Sequence, residues 1–222
     1  MSRRTLVAVT VVVVAAAAAF IVAAVIYNRS VEEQAAAAVR ATVLVRPHSP
    51  VFGPMDAPVT IVEFFDPACG TCRAFHPIVK QIRREYPKAV RVVMRYTVFH
   101  QGSDQVVRIL EAARLQGKLE PVLEAVLEAQ QEWSPHGGGA PNLSKAWQAA
   151  GRGGLNVSKA RRDILKPEIT AVLNQDMADV ESAGVKQTPT FFVNGRPLPS
   201  FGIDQLFALV KEEVEIARSA GD

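Results

Sequence analysis

The two cysteines of the chain are separated by two residues, in the segment Cys69-Gly70-Thr71-Cys72. This spacing lets both thiols lie on the first turn of one helix, close enough to form and break a small-ring disulfide. Unpaired backbone N–H groups and the helix dipole favour a thiolate at a helix N-terminus, so Cys69 is the expected nucleophile. Half of a zinc site or a small structural disulfide has the same spacing, so the pair alone leaves redox chemistry, metal binding and a structural role open.

The residues around the cysteines predict a β-α-β unit. Val59–Phe65 is a β-prone apolar run interrupted by one acid, Glu63, which is typical of a buried central strand. After Cys72, apolar residues recur at helical spacing, and Pro77 is expected to kink that helix. Val90–Val98 predicts the next strand. The cysteines therefore lie at a strand-to-helix turn.

A second segment, Val185–Leu198, predicts a β-hairpin. Asn194-Gly195 is a favoured two-residue hairpin turn, and apolar residues on both sides supply two antiparallel strands. Pro189 at the start of the first strand fits only an edge or a special backbone geometry. Apolar residues at helical spacing in Ile203–Arg218 predict a closing helix.

Between these two segments, residues 103–184 show helical periodicity and no convincing strand. We therefore predict a helical insert of about that extent, within a domain that covers residues 58–222. His48 lies before this domain among prolines, and we interpret it as a loop histidine exposed to solvent.

The N-terminus predicts a membrane anchor over residues 1–28. Thr5–Tyr27 follows Arg3 and Arg4, carries no charge, and as a helix would span about 34 Å, which matches a bilayer core. A signal peptide is the competing interpretation, but its apolar region is normally shorter, about 7–15 residues. Positive charge at the short end predicts an N-terminus in the cytoplasm and a domain outside it. Residues 29–57, rich in proline towards their end, are interpreted as a linker.

The cysteine segment and the hairpin segment together resemble the thioredoxin superfamily, and its bacterial DsbA-like branch in particular. The similarity lies in the strand and turn from Thr60 to Cys72, in Pro77, and in the Thr-Pro-Thr-Phe-Phe-Val-Asn-Gly element that begins at Thr188. A helical insert between the two halves of the fold distinguishes the DsbA-like branch. The resemblance implies an α/β, thioredoxin-like fold: βαβ and ββα halves share a central mixed sheet, with an inserted helical subdomain.

The resemblance also implies residue roles. Cys69 would attack, and Cys72 would resolve the mixed disulfide. Glu63 falls where the family carries a buried acid, which could accept and return the proton of Cys72; a strand acid satisfied at a sheet end is the alternative. A cis Thr188–Pro189 bond would lie against the disulfide, with the Thr188 backbone pairing with substrate and Pro189 blocking metal capture. The candidate substrate-binding residues are Gly70, Thr71, Thr188 and Pro189.

The predicted function is an extracytoplasmic thiol–disulfide oxidoreductase, active as a monomer, that introduces disulfides into secreted proteins. Reduction or isomerisation of selected disulfides is the alternative, and a metallochaperone or a non-enzymatic binding module is a third. Gly70-Thr71 replaces the Pro-His pair of strongly oxidising DsbA proteins, so we expect an intermediate potential. Expected partners are protein thiols and disulfides and a membrane redox protein, either DsbB-like or a reductase. We expect no metal and no cofactor besides the Cys69–Cys72 disulfide, and the formal charge of +3 does not indicate nucleic-acid binding.

Overall fold

The computed structural model describes residues 17–31, 42–134 and 139–220. The chain divides into two compact units, Met1–Thr42 and Val43–Asp222. In the first unit, residues 17–31 form helix α1. The predicted anchor lies partly outside the described residues, which begin at residue 17. Within the described ranges, no helix is both long and apolar enough to cross a membrane.

The second unit alternates strands and helices at its two ends and is helical in between. Its strands are β1 Val51–Phe52, β2 Val59–Phe65, β3 Val90–Tyr96, β4 Thr190–Val193 and β5 Arg196–Pro197. Its helices are α2 Gly70–Glu85, α3 Ser103–Arg114, α4 Leu119–Glu128, α5 Gln130–Trp133, α6 Leu143–Arg152, α7 Val157–Asp163, α8 Pro167–Ser182 and α9 Ile203–Ser219. Helices α3 to α8 occupy the region that the sequence predicted as a helical insert.

Within the described residues, the strands form one mixed sheet in the order β1-β3-β2-β4-β5. Strand β2 pairs in parallel with β3 and antiparallel with β4. The predicted hairpin joins β4 to β5, and Asn194 and Gly195 at its turn both have positive φ, 47° and 81°. An apolar strand with partners on both sides is buried, which agrees with the apolar composition of Val59–Phe65.

The compact unit begins before residue 58, where the sequence analysis placed the start of the domain. Strand β1 lies within the predicted linker 29–57 but pairs antiparallel with β3. Arg46 donates hydrogen bonds to Asp179 of α8 at 2.6 and 2.8 Å. These long-range contacts place residues 43–57 in the domain, and proline-rich composition alone did not reveal them.

One apolar cluster packs between one face of the central strand and α8. Two others lie against the opposite face. One joins β2 and α2 to the closing helix, through residues such as Ile61, Phe75 and Val210. The other joins the end of β2 and both cysteines to the helical insert, through residues such as Phe65 and Leu123. The insert therefore packs directly against the turn that carries the cysteines.

Candidate active site

The cysteines lie at the start of α2, as the spacing predicted. Cys69 is the N-cap residue, and α2 begins at Gly70. Cys69 has 6% of its surface exposed and Cys72 has 0%, and both are free thiols. Of the two sulfurs, the Cys69 sulfur is therefore the one that an external thiol or disulfide can approach.

The surroundings of Cys69 stabilise its thiolate. A hydrogen bond from the Cys72 side chain is the largest influence, and the net result is a pKa of Cys69 lowered to about 5. Burial opposes this shift, whereas the Thr188 side chain and the backbone N–H groups of Cys72 and Thr71 reinforce it. The N–H groups belong to the first turn of α2, so part of the stabilisation comes from the helix N-terminus.

Cys72 has the opposite character. Burial, the hydrogen bond to Cys69 and the charge of Glu63 raise the pKa of Cys72 far above its ordinary value. The backbone N–H of Asp66 donates to Cys72 Sγ at 3.4 Å, which opposes this shift only in part. The pair therefore consists of one acidic thiol near the surface and one buried thiol that keeps its proton.

Glu63 lies beneath the cysteines in the middle of the sheet. It pairs in register with Met94 on one side and Phe191 on the other, and only 2% of its surface is exposed. Burial is the main cause, and the Cys69 charge the second, of a pKa of Glu63 raised to about 8. Its Oε1 atom has no hydrogen-bond partner among the described residues. The alternative of a strand acid satisfied at a sheet end therefore does not describe this side chain.

The Thr188–Pro189 segment lies next to Cys69. The register of β4 against β2, with Phe64 opposite Thr190, brings the preceding residues to the end of β2 that leads into the cysteine turn. The Thr188–Pro189 peptide bond is cis. Cys69 Sγ donates to the Thr188 carbonyl oxygen at 3.2 Å. A chain bound covalently to Cys69 would thus meet the Thr188 backbone.

The two residues between the cysteines face outward. Thr71 is exposed and Gly70 is partly exposed, so both border the approach to Cys69. The structure thus brings all seven predicted site residues to one end of the sheet: Glu63, Cys69, Gly70, Thr71, Cys72, Thr188 and Pro189.

Asp66 organises the cysteine turn, a role that the sequence analysis missed. Its fully buried carboxylate accepts hydrogen bonds from the N–H of Ala68 at 2.9 Å and Phe99 at 2.7 Å, and from the Ser103 hydroxyl. The His100 ring lies 2.9 Å from the same carboxylate. Asp66 therefore joins the turn to the start of α3, and an acid at the end of a strand three residues before Cys69 was the signal for it.

Gln130 positions the same turn from the helical insert. Its Nε2 donates to the carbonyl oxygens of Pro67 at 2.7 Å and Cys69 at 3.0 Å. Nothing in the sequence distinguishes Gln130 from other glutamines of the insert. Among the described residues, no three or more histidines, cysteines or acids lie together in a way that could hold a metal ion. The site combines two thiols of opposite acidity, an acid that can change protonation and a backbone segment beside Cys69. This combination is suited to thiol–disulfide exchange.

Comparison with known proteins defines the class. A family model described as thioredoxin matches residues 46–212. A thioredoxin-like oxidoreductase from Silicibacter pomeroyi superposes with a TM-score of 0.66 and 32% identity, covering 80% of this chain and 96% of that structure. Wolbachia pipientis alpha-DsbA1 has the same fold, with a TM-score of 0.72 at 15% identity, covering 83% of this chain and 100% of that one. The chain belongs to the thioredoxin family and has the DsbA-like fold.

Curated relatives include proteins of two kinds. The Na(+)/H(+) antiporter NhaA of Herminiimonas arsenicoxydans is 30% identical over 146 residues, which cover 66% of this chain and 22% of the antiporter. The chain spans about a quarter of the length of the antiporters that it matches. A Rickettsia bellii protein whose name assigns it provisionally to the protein-disulfide oxidoreductases is 23% identical, with 82% of this chain and 71% of that protein covered.

Proposed function

We propose that this chain is a thiol–disulfide oxidoreductase that works outside the cytoplasm and introduces disulfides into secreted proteins, with Cys69 as the nucleophile and Cys72 as the resolving cysteine. The observation that carries the proposal is the large difference in pKa between Cys69 and Cys72. Cys69 has a pKa near 5 and so is largely a thiolate at neutral pH, whereas burial keeps the proton on Cys72. Only the thiolate is nucleophilic in disulfide exchange.

The exchange runs through a mixed disulfide. In the oxidising direction, a substrate thiolate attacks the Cys69 sulfur of the Cys69–Cys72 disulfide, and the bond to Cys72 breaks. Cys72 leaves as a thiolate and takes a proton, for which Glu63 is the nearby donor. A second substrate thiolate then attacks the substrate sulfur of the mixed disulfide, and Cys69 leaves as the stabilised thiolate. Two electrons pass from the substrate thiols to the cysteine pair, and no soluble cofactor takes part.

The acidity of Cys69 supports an intermediate reduction potential. A thiolate stabilised in the reduced form makes the disulfide a stronger oxidant. A pKa of about 5 for Cys69 lies between the roughly 7 of thioredoxin and the roughly 3.5 of DsbA. We therefore expect a potential between about −270 and −120 mV, the values of those two proteins.

Thr188 and Pro189 would receive the substrate backbone. The Thr188 carbonyl oxygen lies 3.2 Å from Cys69 Sγ, in a partly exposed residue just before β4. An extended peptide joined to Cys69 would reach this backbone and could add β-type hydrogen bonds. Gly70 and Thr71 would border the same peptide. Recognition through the backbone suits an enzyme that accepts many sequences.

The proposed location rests on the N-terminal sequence. The uncharged segment Thr5–Tyr27 behind Arg3 and Arg4 favours a single-pass anchor with the N-terminus in the cytoplasm and the domain outside it. In a bacterium this is the inner membrane, with the domain in the periplasm. A DsbB-like protein would be the redox partner of an oxidase there, and a membrane reductase that of the alternative enzyme.

Reduction or isomerisation is the second candidate, and Thr188 is the observation that favours it. Thr188 lies beside the Cys69 sulfur, and its side chain helps to lower the pKa of Cys69. The residue before the cis proline thereby contributes to the acidity of Cys69, and a threonine there resembles reductase and isomerase members of the superfamily as well as some oxidases.

Trapping of mixed disulfides tests the roles of the cysteines. Cys72→Ala in the full chain should accumulate covalent complexes with client proteins that disappear under reductant, because resolution is blocked. Cys69→Ala and the double variant should accumulate none. Complexes that form through Cys72 when Cys69 is absent, or no complexes in any variant, would contradict the proposal.

The direction of electron flow is tested by the redox state in growing cells. Rapid acid quenching and thiol alkylation should find Cys69 and Cys72 mostly as the disulfide if the chain is an oxidase. A mostly reduced pair would replace this proposal with the reductase or isomerase alternative.

A further inference from the structure

The outer face of α7 carries exposed arginines. Helix α7 packs against α3 and α6, and Ala160 and Ile164 on its inner face join the apolar cluster of the insert. Arg161 and Arg162 are exposed to solvent. The N–H of Leu165 donates to the Arg162 carbonyl oxygen at 3.2 Å, so the turn after α7 continues the path of the helix. Residues three and four positions apart share one helix face, which places Leu165 beside the two arginines.

Leu165 is the most exposed large apolar side chain in the part of the chain that the structure describes, at 78%. A single exposed leucine is common on protein surfaces and needs no special explanation. This one differs because Arg161 and Arg162 precede it and Lys166 follows it, and all three are exposed. The surface after α7 therefore combines an apolar side chain with several positive charges.

A tryptophan borders the same surface. The Arg161 guanidinium lies over the ring of Trp147 on α6, 4.6 Å from its centroid, and Trp147 is half-buried. Tryptophan and arginine both combine an apolar body with a polar tip, and such side chains are stable where lipid headgroups meet acyl chains. We call Trp147, Arg161, Arg162, Leu165 and Lys166 the α7 patch.

The charges of the α7 patch are only partly neutralised within the domain. Lys159 and Lys166 both pair with Asp163, at 2.5 and 2.9 Å. No carboxylate of the described residues forms an ion pair with Arg161 or Arg162, whose guanidinium groups contact the Trp147 ring and a backbone carbonyl oxygen. The two arginines can therefore meet an external anion without losing a carboxylate partner.

Positive charge is concentrated in this part of the domain. Residues 43–222 contain 21 basic and 20 acidic residues, and residues 157–166 contribute four of the basic and one of the acidic ones. Acidic residues are therefore in excess over the rest of the domain. An anionic surface would attract the α7 patch more strongly than the remainder, and so would orient the domain.

We propose that the α7 patch docks the domain on a bilayer that contains anionic lipids. The basic side chains would contact lipid phosphates, and Leu165 and the Trp147 ring would enter the boundary between headgroups and acyl chains. This inference rests on the membrane location given under the proposed function, because an anchored domain stays beside a lipid surface. It does not depend on the direction of electron flow.

A membrane suits the α7 patch better than an acidic protein does. A specific protein interface buries about 800 Å² on each partner and has an apolar centre. The α7 patch offers one exposed leucine and a half-buried tryptophan, which is too little apolar surface for such a centre. An anchored domain is held at high effective concentration near lipid, so a few side chains suffice for docking.

Trp147 can report docking in the full chain. The other tryptophan, Trp133, is fully buried in the insert. The chain is placed in vesicles of phosphatidylglycerol and phosphatidylcholine in equal parts, with bromine on the acyl chains near the headgroups, where it quenches tryptophan emission at short range. We expect quenching that weakens at high salt and is absent in vesicles of phosphatidylcholine alone. Trp147→Phe should abolish the quenching and so identify its source.

Substitutions that leave the Arg161–Trp147 contact in place test the other side chains. Arg162→Gln should lower the ratio of docked to undocked domain about fivefold, which corresponds to about 1 kcal/mol for one basic side chain at an anionic surface. Leu165→Gln should lower it by a similar factor, because apolar surface no longer leaves water. Arg218→Gln removes the same charge from the exposed side of α9 and should leave the ratio unchanged.

Three results would overturn the docking. They are equal quenching in vesicles of phosphatidylcholine alone, an Arg162→Gln variant that behaves like Arg218→Gln, and binding of soluble polyglutamate through Arg162 without quenching by vesicles, which would assign the patch to an acidic protein. An alkaline carbonate wash separates these results from a failure of the proposed location. A chain that washes off the vesicles is not anchored, whereas a chain that remains without quenching of Trp147 lacks only the docking.

Discussion

Two buried groups of charged residues in this domain differ in how they are satisfied. Arg95 of β3 is fully buried and donates to Asp176 at 2.7 Å and to Asp179 at 2.6 Å, both on α8. Asp179 also accepts from Arg46, and Asp176 lies 2.7 Å from His48 Nε2. On the opposite face of the sheet, Glu63 of β2 is also buried, and its Oε1 has no partner among the described residues.

The two groups accordingly respond to burial in opposite ways. Burial raises the pKa of Asp179, but hydrogen bonds from Arg46 and Arg95 outweigh it and hold the pKa at about 2. No hydrogen bond from a cation offsets the burial of Glu63, and its pKa rises to about 8. A paired buried charge stays ionised and holds elements together, whereas an unpaired one changes protonation near neutral pH and suits catalysis. The first group is structural, and the second belongs to the active site.

Loss of Arg95 should change the free energy of unfolding more than any other substitution considered below. Arg95→Met leaves Asp176 and Asp179 buried with fewer cationic partners, and we expect a loss of about 3–5 kcal/mol in the free energy of unfolding. Urea unfolding at neutral pH measures it. Activity per folded molecule should not change, because the group lies apart from the cysteines.

A matched arginine provides the control. Arg196→Met removes a half-exposed guanidinium that pairs with Glu212 and Glu213, and it should cost no more than about 1 kcal/mol. Equal losses for the two variants would mean that the paired group around Arg95 does not have the stabilising role that we assign to it.

Neutralising Glu63 should increase the free energy of unfolding, whereas loss of Arg95 decreases it. The raised pKa of Glu63 means that its protonated form favours folding below about pH 4.5 and that this contribution is lost as the pH rises through about 8. The stability of reduced Glu63→Gln relative to the wild type should therefore increase as the pH rises from 5 to 9, from under about 1 kcal/mol to about 5 kcal/mol. Urea unfolding of both proteins across that range is the measurement. A stability difference that stays constant with pH would show that Glu63 does not titrate in this window.

Substitution of Gln130 should change the free energy of unfolding less than substitution of Arg95 or Glu63. Gln130→Leu removes donors to the carbonyl oxygens of Pro67 and Cys69, and we expect a loss of about 1–2 kcal/mol and slower attack by Cys69. Urea unfolding and the rate of reaction with glutathione disulfide measure the two effects. Gln131→Leu, at the exposed neighbouring position, should change neither. If both leucine variants behave alike, the insert does not position the turn through Gln130.

Local sequence patterns predicted the elements that carry the active site. Strand β2, the helix behind the cysteines and the Asn194-Gly195 hairpin were confirmed, because hydrophobic periodicity and turn chemistry depend on neighbouring residues. The acid Glu63 could be singled out because it interrupts an apolar strand. The thioredoxin-like fold and the helical insert were confirmed as well.

Contacts between distant parts of the chain could not be predicted in the same way. His48 was interpreted as a solvent-exposed loop histidine, and this was wrong, since its partner Asp176 lies 128 positions away. Arg95 and Asp176 are 81 positions apart, and neither stands out in its own element. Such pairs form only once β3 and α8 pack together, so single-sequence periodicity contains no sign of them.

The acidity of Cys69 tests the account most directly. Thiolate absorbance near 240 nm, followed as the reduced full-length protein is titrated, should show one thiol ionising with a midpoint near pH 5, and the transition should disappear in Cys69→Ser. The lowered pKa also implies that the reduced form gains stability as the pH rises from about 5 to about 9. A midpoint near 9, or joint ionisation of Cys69 and Cys72, would contradict the division of roles on which the mechanism depends.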